Sequence, residues 1–370
     1  METQDSMKTS VFDFHLPEQL IAQEPLPERD ASRLLVLNRA SRTRCDSSIS
    51  ALPGLLEAGD LLILNNTRVI PARLRGIRDS SGGKVEFLLL PPEPGPKPEQ
   101  AHVLRRVLTR SGGTLRLGER FTLAGGCAAV LRERHGVAGD VVEFCCTPVA
   151  FEELIERHGE VPLPPYIRRT AGPSGLADQQ RYQTVYAQVP GAVAAPTAGF
   201  HFSQALFDAL KQRGITWRYI TLHVGPGTFR PVKADEITGH FMDPEPYTIP
   251  AGTLKAIQDA KREGRRVIAV GTTSLRALEG ALGRESLDSA DLMRDLTGKT
   301  DLFIYPPYTF GVVDGLLTNF HIPKSSLLML VCAFASPGNE AGIEFVKNAY
   351  EHAVASKYRF YSYGDACLII

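Results

Sequence analysis

The stretch VIAVGTTSLRALEGAL, Val267 to Leu282, passes from apolar β-branched residues through Gly271-Thr272-Thr273-Ser274 into leucines at helical spacing. This predicts a strand, a glycine turn and a helix start. The first backbone N–H groups of a helix have no partner inside it, so such a joint attracts anions. It is also the ordinary joint of any α/β protein, and the surrounding sequence must decide between the two.

Outward from this joint, helical patterns recur at FEELIERHG, SQALFDALKQRG, TLKAIQDAKREG, SSLLMLVCAFAS and NEAGIEFVKNAYEHAVASKY. Between them lie ITWRYITLHV, RRVIAV and DLFIYP, which read as strands. Ser203 suits a helix N-cap, and Gly214 and Gly264 suit helix stops. The alternation predicts an α/β domain. From about Val69 to Ala150 the pattern differs. KVEFLLL, AHVLRRVLTR, GTLRLGERFTLAGG, CAAVLRERHG and GDVVEFCC are short strand-like runs between glycine turns, with the proline-rich PPEPGPKPEQ after the first. Many short strands at this spacing predict a small antiparallel barrel. The expected fold is therefore a mixed α/β domain, residues 1–68 and 151–370, interrupted by an inserted β-barrel, 69–150.

The chain has 370 residues, 43% of them hydrophobic, enough for a substantial core. Lys+Arg and Asp+Glu both count 41, so no global charge announces a nucleic acid or a membrane surface. Within 69–150, however, 12 Lys and Arg face 8 Asp and Glu. Arg73, Arg75, Arg105 and Arg106 are candidates there for RNA phosphates. The six cysteines form no C-x-x-C pair and are expected to be reduced and buried. The first residues lack a basic, apolar leader, and no run reaches a membrane span. A cytoplasmic protein with no membrane partner is expected.

Common catalytic signatures are missing: G-x-x-x-x-G-K-[ST], H-E-x-x-H and G-x-S-x-G do not occur, and Gly225-Pro226-Gly227 lacks a third glycine. What remains are polar runs at expected strand ends: LNNTRVIPARL, APTAGFHF, LHVGPGTFRPV, VGTTSLRAL, TNFHIPKSS and YSYGDACLI. His201, His223 and His321 fall in these runs, and each can be a general acid or base or a hydrogen-bonded structural residue. No two of them share a ligand spacing for a metal. Arg68, Arg230 and Arg276 can fork onto a carboxylate or phosphate, or pair with a neighbouring acid. The residues alone reach a ligand-binding α/β enzyme with a polar substrate.

Several long runs in fixed order go further. FDFHLPEQLIAQEPLPERDASRLLVLNR, GDLLILNNTRVIPARLRG, RYQTVYAQVPGAVAAPTAGFHF, LHVGPGTFRPVKADEI, DLFIYPPYTFGVVDGLLTNFHIPKSSLLMLV and YRFYSYGDACLI resemble the S-adenosylmethionine:tRNA ribosyltransferase-isomerases of the queuosine pathway. The resemblance runs from about Phe12 to Ile370. It implies an α/β domain interrupted by a barrel. It also implies transfer and isomerisation of the ribosyl group of S-adenosylmethionine onto 7-aminomethyl-7-deazaguanine at the tRNA wobble position, giving epoxyqueuosine, adenine and methionine.

The implied chemistry needs a base, an acid and a neutral amine. It uses no cofactor or metal, because S-adenosylmethionine is consumed as a substrate. The candidates are His201, His223, His321 and Arg68 for catalysis, and Asn65, Asn66, Arg230, Thr272, Thr273, Ser274 and Arg276 for substrate binding. The expected partners are the donor and tRNA carrying the deazaguanine base, met by a monomer. The donor carboxylate is expected at Gly271–Ser274, with Arg276 helping. One departure stands out: His240-Phe241-Met242-Asp243-Pro244-Glu245 replaces an expected His-x-Met-His-Ser-Glu. Two readings from other classes stay open: an RNA-binding module without chemistry, and a small-molecule glycosyl or acyl transferase.

Overall fold

The structure, a computed structural model, describes residues 7–92, 102–169, 176–229, 232, 234–283 and 293–370. Strand Leu61–Asn65 explains the architecture. Leu61 and Ile63 belong to one hydrophobic cluster, Leu62 and Leu64 to another. A strand apolar at every position needs cover on both faces. Val267–Val270 repeats the arrangement, with Val267 and Ala269 on one side and Ile268 and Val270 on the other. Helices Ala251–Arg262, Thr272–Leu282, Ser326–Ala335 and Ala341–Ala355 supply the first cover, and Gln204–Gln212 contributes to the second.

Among the described residues these strands lie in a nine-stranded mixed sheet. Its order is Leu296–Thr300, Glu245–Ile249, Thr216–Leu222, Leu61–Asn65, Val267–Val270, Gly315–Asn319, Ala366–Ile369, Arg33–Asn38 and Thr43–Ser48. The four strands from Thr216–Leu222 to Gly315–Asn319 are parallel neighbours. Outside them the pairings are antiparallel, except that Ala366–Ile369 runs parallel to Arg33–Asn38. The expected helices all form. Ser203 Oγ accepts the Leu206 N–H at 3.0 Å, and Gly214 and Gly264 follow their helices at φ +73° and +69°.

The second layer of the fold is a closed six-stranded antiparallel barrel built from strands between Arg73 and Phe144. Strand Lys84–Leu89 alternates as a barrel wall must: Val85, Phe87 and Leu89 point inward and are buried, while Lys84 is exposed. Phe87 meets Phe121 edge-on at 5.1 Å. Helix Pro148–His158 packs Phe151, Leu154 and Ile155 onto the same cluster, so the barrel core extends past its last strand.

Three expectations are corrected. DLFIYP forms no strand; the sheet edge is the more polar Leu296–Thr300, whose first four residues alternate between half-buried and exposed before the buried Thr300. Strand Arg73–Arg78, absent from the sequence reading, completes the barrel. Of the cysteines only Cys332 and Cys367 are buried, Cys45 being exposed and the others half-buried. Among the described residues no helix is long and apolar enough to cross a membrane.

Candidate active site

The four parallel strands end together. Their carboxyl ends carry Asn65-Asn66, His223-Val224, Gly271-Thr272-Thr273 and Asn319-Phe320-His321. Open α/β sheets bind ligands at this edge. An open cleft lies there, walled by Thr272, Thr273, Asn319, His321, Tyr166 and Tyr361.

Gly271 makes the helix start possible. Its φ of +92° is unfavourable for residues with a Cβ, and its N–H is taken by the Leu317 carbonyl at 2.8 Å. Leu275 N–H is the first to find an intrahelical partner, the Gly271 carbonyl at 3.2 Å. The N–H groups of Thr272, Thr273 and Ser274 therefore stand ahead of the ladder, where the helix dipole favours negative charge. Thr273 Oγ1 is buried and has no hydrogen-bond partner among the described residues. Ser274 plays a different part: it is fully buried, and its Oγ donates to the Val270 carbonyl at 2.8 Å.

The three histidines do not converge. Only His321 lines the cleft, with Nε2 3.0 Å from Thr318 Oγ1. Burial pulls its pKa down to about 3. His201 is one residue removed from the cleft: Asn319 Nδ2 approaches its Nε2 at 3.2 Å, and burial, then the charges of Arg29 and Arg359, pull its pKa down to about 4. His223 lies toward the barrel. Its Nδ1 is 2.7 Å from Thr67 Oγ1, and burial followed by the charge of Arg105 takes its pKa to about 4. A Cβ on Gly191 would come within 2.8 Å of the His223 ring, so only glycine allows this close packing. All three imidazoles are thus held neutral near pH 7.

Several candidates are held by partners within the fold. Asn65 Oδ1 accepts from Thr67 N and Leu222 N at 3.1 and 3.0 Å, and its Nδ2 donates to the Leu222 carbonyl at 2.9 Å. Its side chain extends the ladder where the strand stops. Asn66 Oδ1 accepts from Thr221 at 2.7 Å. Arg276 lies one turn below the helix start, buried, with Nη1 on Glu245 at 2.5 Å and Nε on the Leu302 carbonyl. Glu245 also accepts from Gly225 N at 3.1 Å, so the pair anchors the Gly225-Pro226-Gly227 turn. Arg68 is exposed on strand Thr67–Val69, and Arg230 lies outside the described residues.

Other residues emerge only in three dimensions. Asn319 Oδ1 accepts from Thr197 at 3.2 Å while its Nδ2 also reaches the Tyr361 carbonyl. Tyr361 adopts φ +72°, a costly conformation for a tyrosine, and stacks on Tyr166 at 3.7 Å between ring centroids. Strain of this kind collects at ligand sites. TNFHIP and YSYGDACLI pointed to the region; nothing in PLPPYIRR pointed to Tyr166. At the departing motif, a Cβ on Gly227 would sit 2.3 Å from Asp243 Oδ2, so the bare turn is what accommodates the aspartate.

The four barrel arginines expected at RNA phosphates each have a partner. Arg73 and Arg75 pair with Glu86 and Glu160 at 3.5 and 3.0 Å, and Arg105 and Arg106 donate to the carbonyls of Leu90 and Ala138. Among the described residues no three His, Cys, Asp or Glu side chains converge as metal ligands.

Comparison with known proteins agrees with this geometry. Residues 9–369 match the family model described as "Queuosine biosynthesis protein". The chain is 49% identical over 361 residues to an S-adenosylmethionine:tRNA ribosyltransferase-isomerase of Acidithiobacillus ferrooxidans, covering 97% of this chain and 96% of that one. It is 46% identical to the protein of that name in Nitrosomonas europaea, over 98% of this chain and 97% of the other. A crystal structure titled as an S-adenosylmethionine tRNA ribosyltransferase from Thermotoga maritima matches with a TM-score of 0.53 and 34% identity, covering 98% of this chain and all of that one. Near-full-length matches of this depth, on a fold whose polar strand ends meet in one cleft, decide the assignment: the chain belongs to the queuosine-biosynthesis family of transferase-isomerases.

Proposed function

We propose that the protein transfers and isomerises the ribosyl moiety of S-adenosylmethionine onto 7-aminomethyl-7-deazaguanine at the wobble position of tRNA, giving epoxyqueuosine-tRNA, adenine and methionine. The observation that carries this reading is the cleft at the carboxyl ends of the parallel strands, with a helix start, an unpartnered buried hydroxyl and a neutral histidine around it. The relatives' printed names supply the donor and the acceptor class.

In this reading the methionine carboxylate of the donor meets the N–H groups and hydroxyls of Thr272 and Thr273. The sulfonium acidifies the ribose 5′ carbon. A base removes that proton, adenine leaves, the tRNA amine attacks, and methionine is the second leaving group as the epoxide forms. His321 is the candidate for proton removal because it alone of the three histidines lines the cleft; its neutral imidazole has a lone pair to offer, and the burial that lowers its pKa makes it a weak base in the free protein. In the tautomer that donates from Nε2 to Thr318, that lone pair is on Nδ1. The sequence needs no resident cofactor or metal, and the inserted barrel, 69–150, serves as a separate unit beside the reaction. The test is incubation with labelled S-adenosylmethionine, with and without tRNA bearing the deazaguanine base. Free adenine should appear only with that tRNA; none would leave a binding module, and release without it a small-molecule transferase.

A further inference from the structure

Behind His201 lies a second, smaller cavity, lined by Arg29, Arg181, His201, Ser362 and Tyr363, with the exposed Glu28 at its rim. Its arginines are unusual in their partners. Arg29 donates to the carbonyls of Phe200 and Gln180 at 3.3 and 3.4 Å, and Arg181 to those of Pro27 and Leu26 at 3.0 and 2.6 Å. The neighbouring Arg359 donates to the Glu24 carbonyl. None of the three has a carboxylate partner among the described residues. Asp178 is taken by Arg169, and Asp365 accepts the backbone N–H groups of Arg33 and Arg359.

Two donors of the lining are left over. Arg181 Nε and the Tyr363 hydroxyl are buried with no hydrogen-bond partner among the described residues, and Tyr363 is only 4% exposed. Orphaned donors in a pocket of like charge are costly unless an anion completes them. Arginine forks match the geometry of phosphate oxygens.

We propose that this cavity is an oxyanion site and that its occupant is a backbone phosphate of the tRNA substrate. The proposal rests on the functional reading above for its RNA. The cavity is partly open, so an anion could meet its donors from the solvent side. It also shares Ser362 with the wall of the cleft, and His201 joins the two through Asn319. A nucleotide whose base enters the cleft would carry its flanking phosphates to within one wall of it.

The experiment compares wild type, Tyr363→Phe and Arg181→Gln for affinity to tRNA bearing the deazaguanine base across a salt series, for donor affinity and for Tm with and without inorganic phosphate. Tyr363→Phe removes a hydroxyl that bonds to nothing in the protein, so its Tm should hold while tRNA binds several-fold more weakly. Arg181→Gln should weaken tRNA about tenfold and lower the log–log salt slope by about 0.7 to 0.9, the signature of one lost phosphate contact. Donor affinity should not change in either. Unchanged tRNA affinity and slope in both variants overturn the assignment; if phosphate still raises the wild-type Tm and not that of Arg181→Gln, the site serves a free anion instead. Wild-type protein that binds no tRNA would sink the functional reading and the RNA occupant together, and the phosphate arm would still judge the cavity.

Discussion

Replacing Thr273 by valine removes one oxygen and keeps the shape of the side chain. That oxygen is buried and has no hydrogen-bond partner among the described residues. Its removal breaks no hydrogen bond and relieves a desolvated polar group, a gain of about 1–3 kcal/mol at most. For a chain of 370 residues this predicts a Tm that holds or rises by a few degrees. If the hydroxyl donates to the donor's carboxylate, its loss removes a hydrogen bond to a charged group, about 1.5–3 kcal/mol. The Kd for S-adenosylmethionine should then rise about 10- to 150-fold. Calorimetric titration gives the Kd and scanning calorimetry the Tm. A Kd within twofold of wild type, together with a lower Tm, would refute the reasoning and make Thr273 a residue of the fold.

Three further outcomes follow from the same geometry. Ser274→Ala should leave donor affinity within twofold, because the Ser274 hydroxyl is spent on the Val270 carbonyl; a large loss by titration would move the ligand deeper along the helix. Glu245→Gln leaves the buried Arg276 without its counter-charge and should cost about 3–5 kcal/mol in urea unfolding, whereas a change under 1 kcal/mol would show that the pair does not hold the turn at Gly225. Acid should destabilise the fold through His201. Its folded pKa, about 4, is below the unfolded value of about 6.5, so the unfolded chain binds the proton first. That stability is complete above pH 6.5 and is lost as pH falls towards 4, about 3 kcal/mol in all. Urea melts between pH 7.5 and 4.5 that differ by clearly less in His201→Gln than in wild type would support this; a wild-type slope fully retained in the variant would contradict it.

Part of the sheet was legible: a strand buried on both faces must be apolar at every position, as Val267–Val270 is. The helices were legible through their caps and period. The edge strand Leu296–Thr300 was not, since an edge is half solvated and reads as polar, while the apolar DLFIYP buries Ile304 without joining a ladder. In the site, Gly271-Thr272-Thr273 and His321 were visible as polar residues at a strand end. Arg276 sits apart from the cleft for a geometric reason, with Nη2 buried and unpartnered among the described residues. Four residues of helix carry it about 6 Å away from the cleft, to an acid 31 positions earlier whose proximity no local pattern records. Asn65 and Asn66 looked like ligand groups because an amide that replaces a strand's hydrogen bonds has the same composition as one that binds substrate. Charge counting found the barrel arginines but not their partners, and it passed over Arg29 and Arg181, which lie far apart in sequence.

The most direct test of the proposed chemistry measures adenine released per epoxyqueuosine formed, in single turnovers of wild type and His321→Ala on the same tRNA. The expected wild-type ratio is one to one, with no release when the tRNA lacks the aminomethyl base. His321→Ala should bind S-adenosylmethionine nearly as well and release adenine about 100- to 10,000-fold more slowly, the usual share of a general acid or base. Adenine release at the wild-type rate from His321→Ala would contradict the account, because the histidine in the cleft would then have no part in moving the proton.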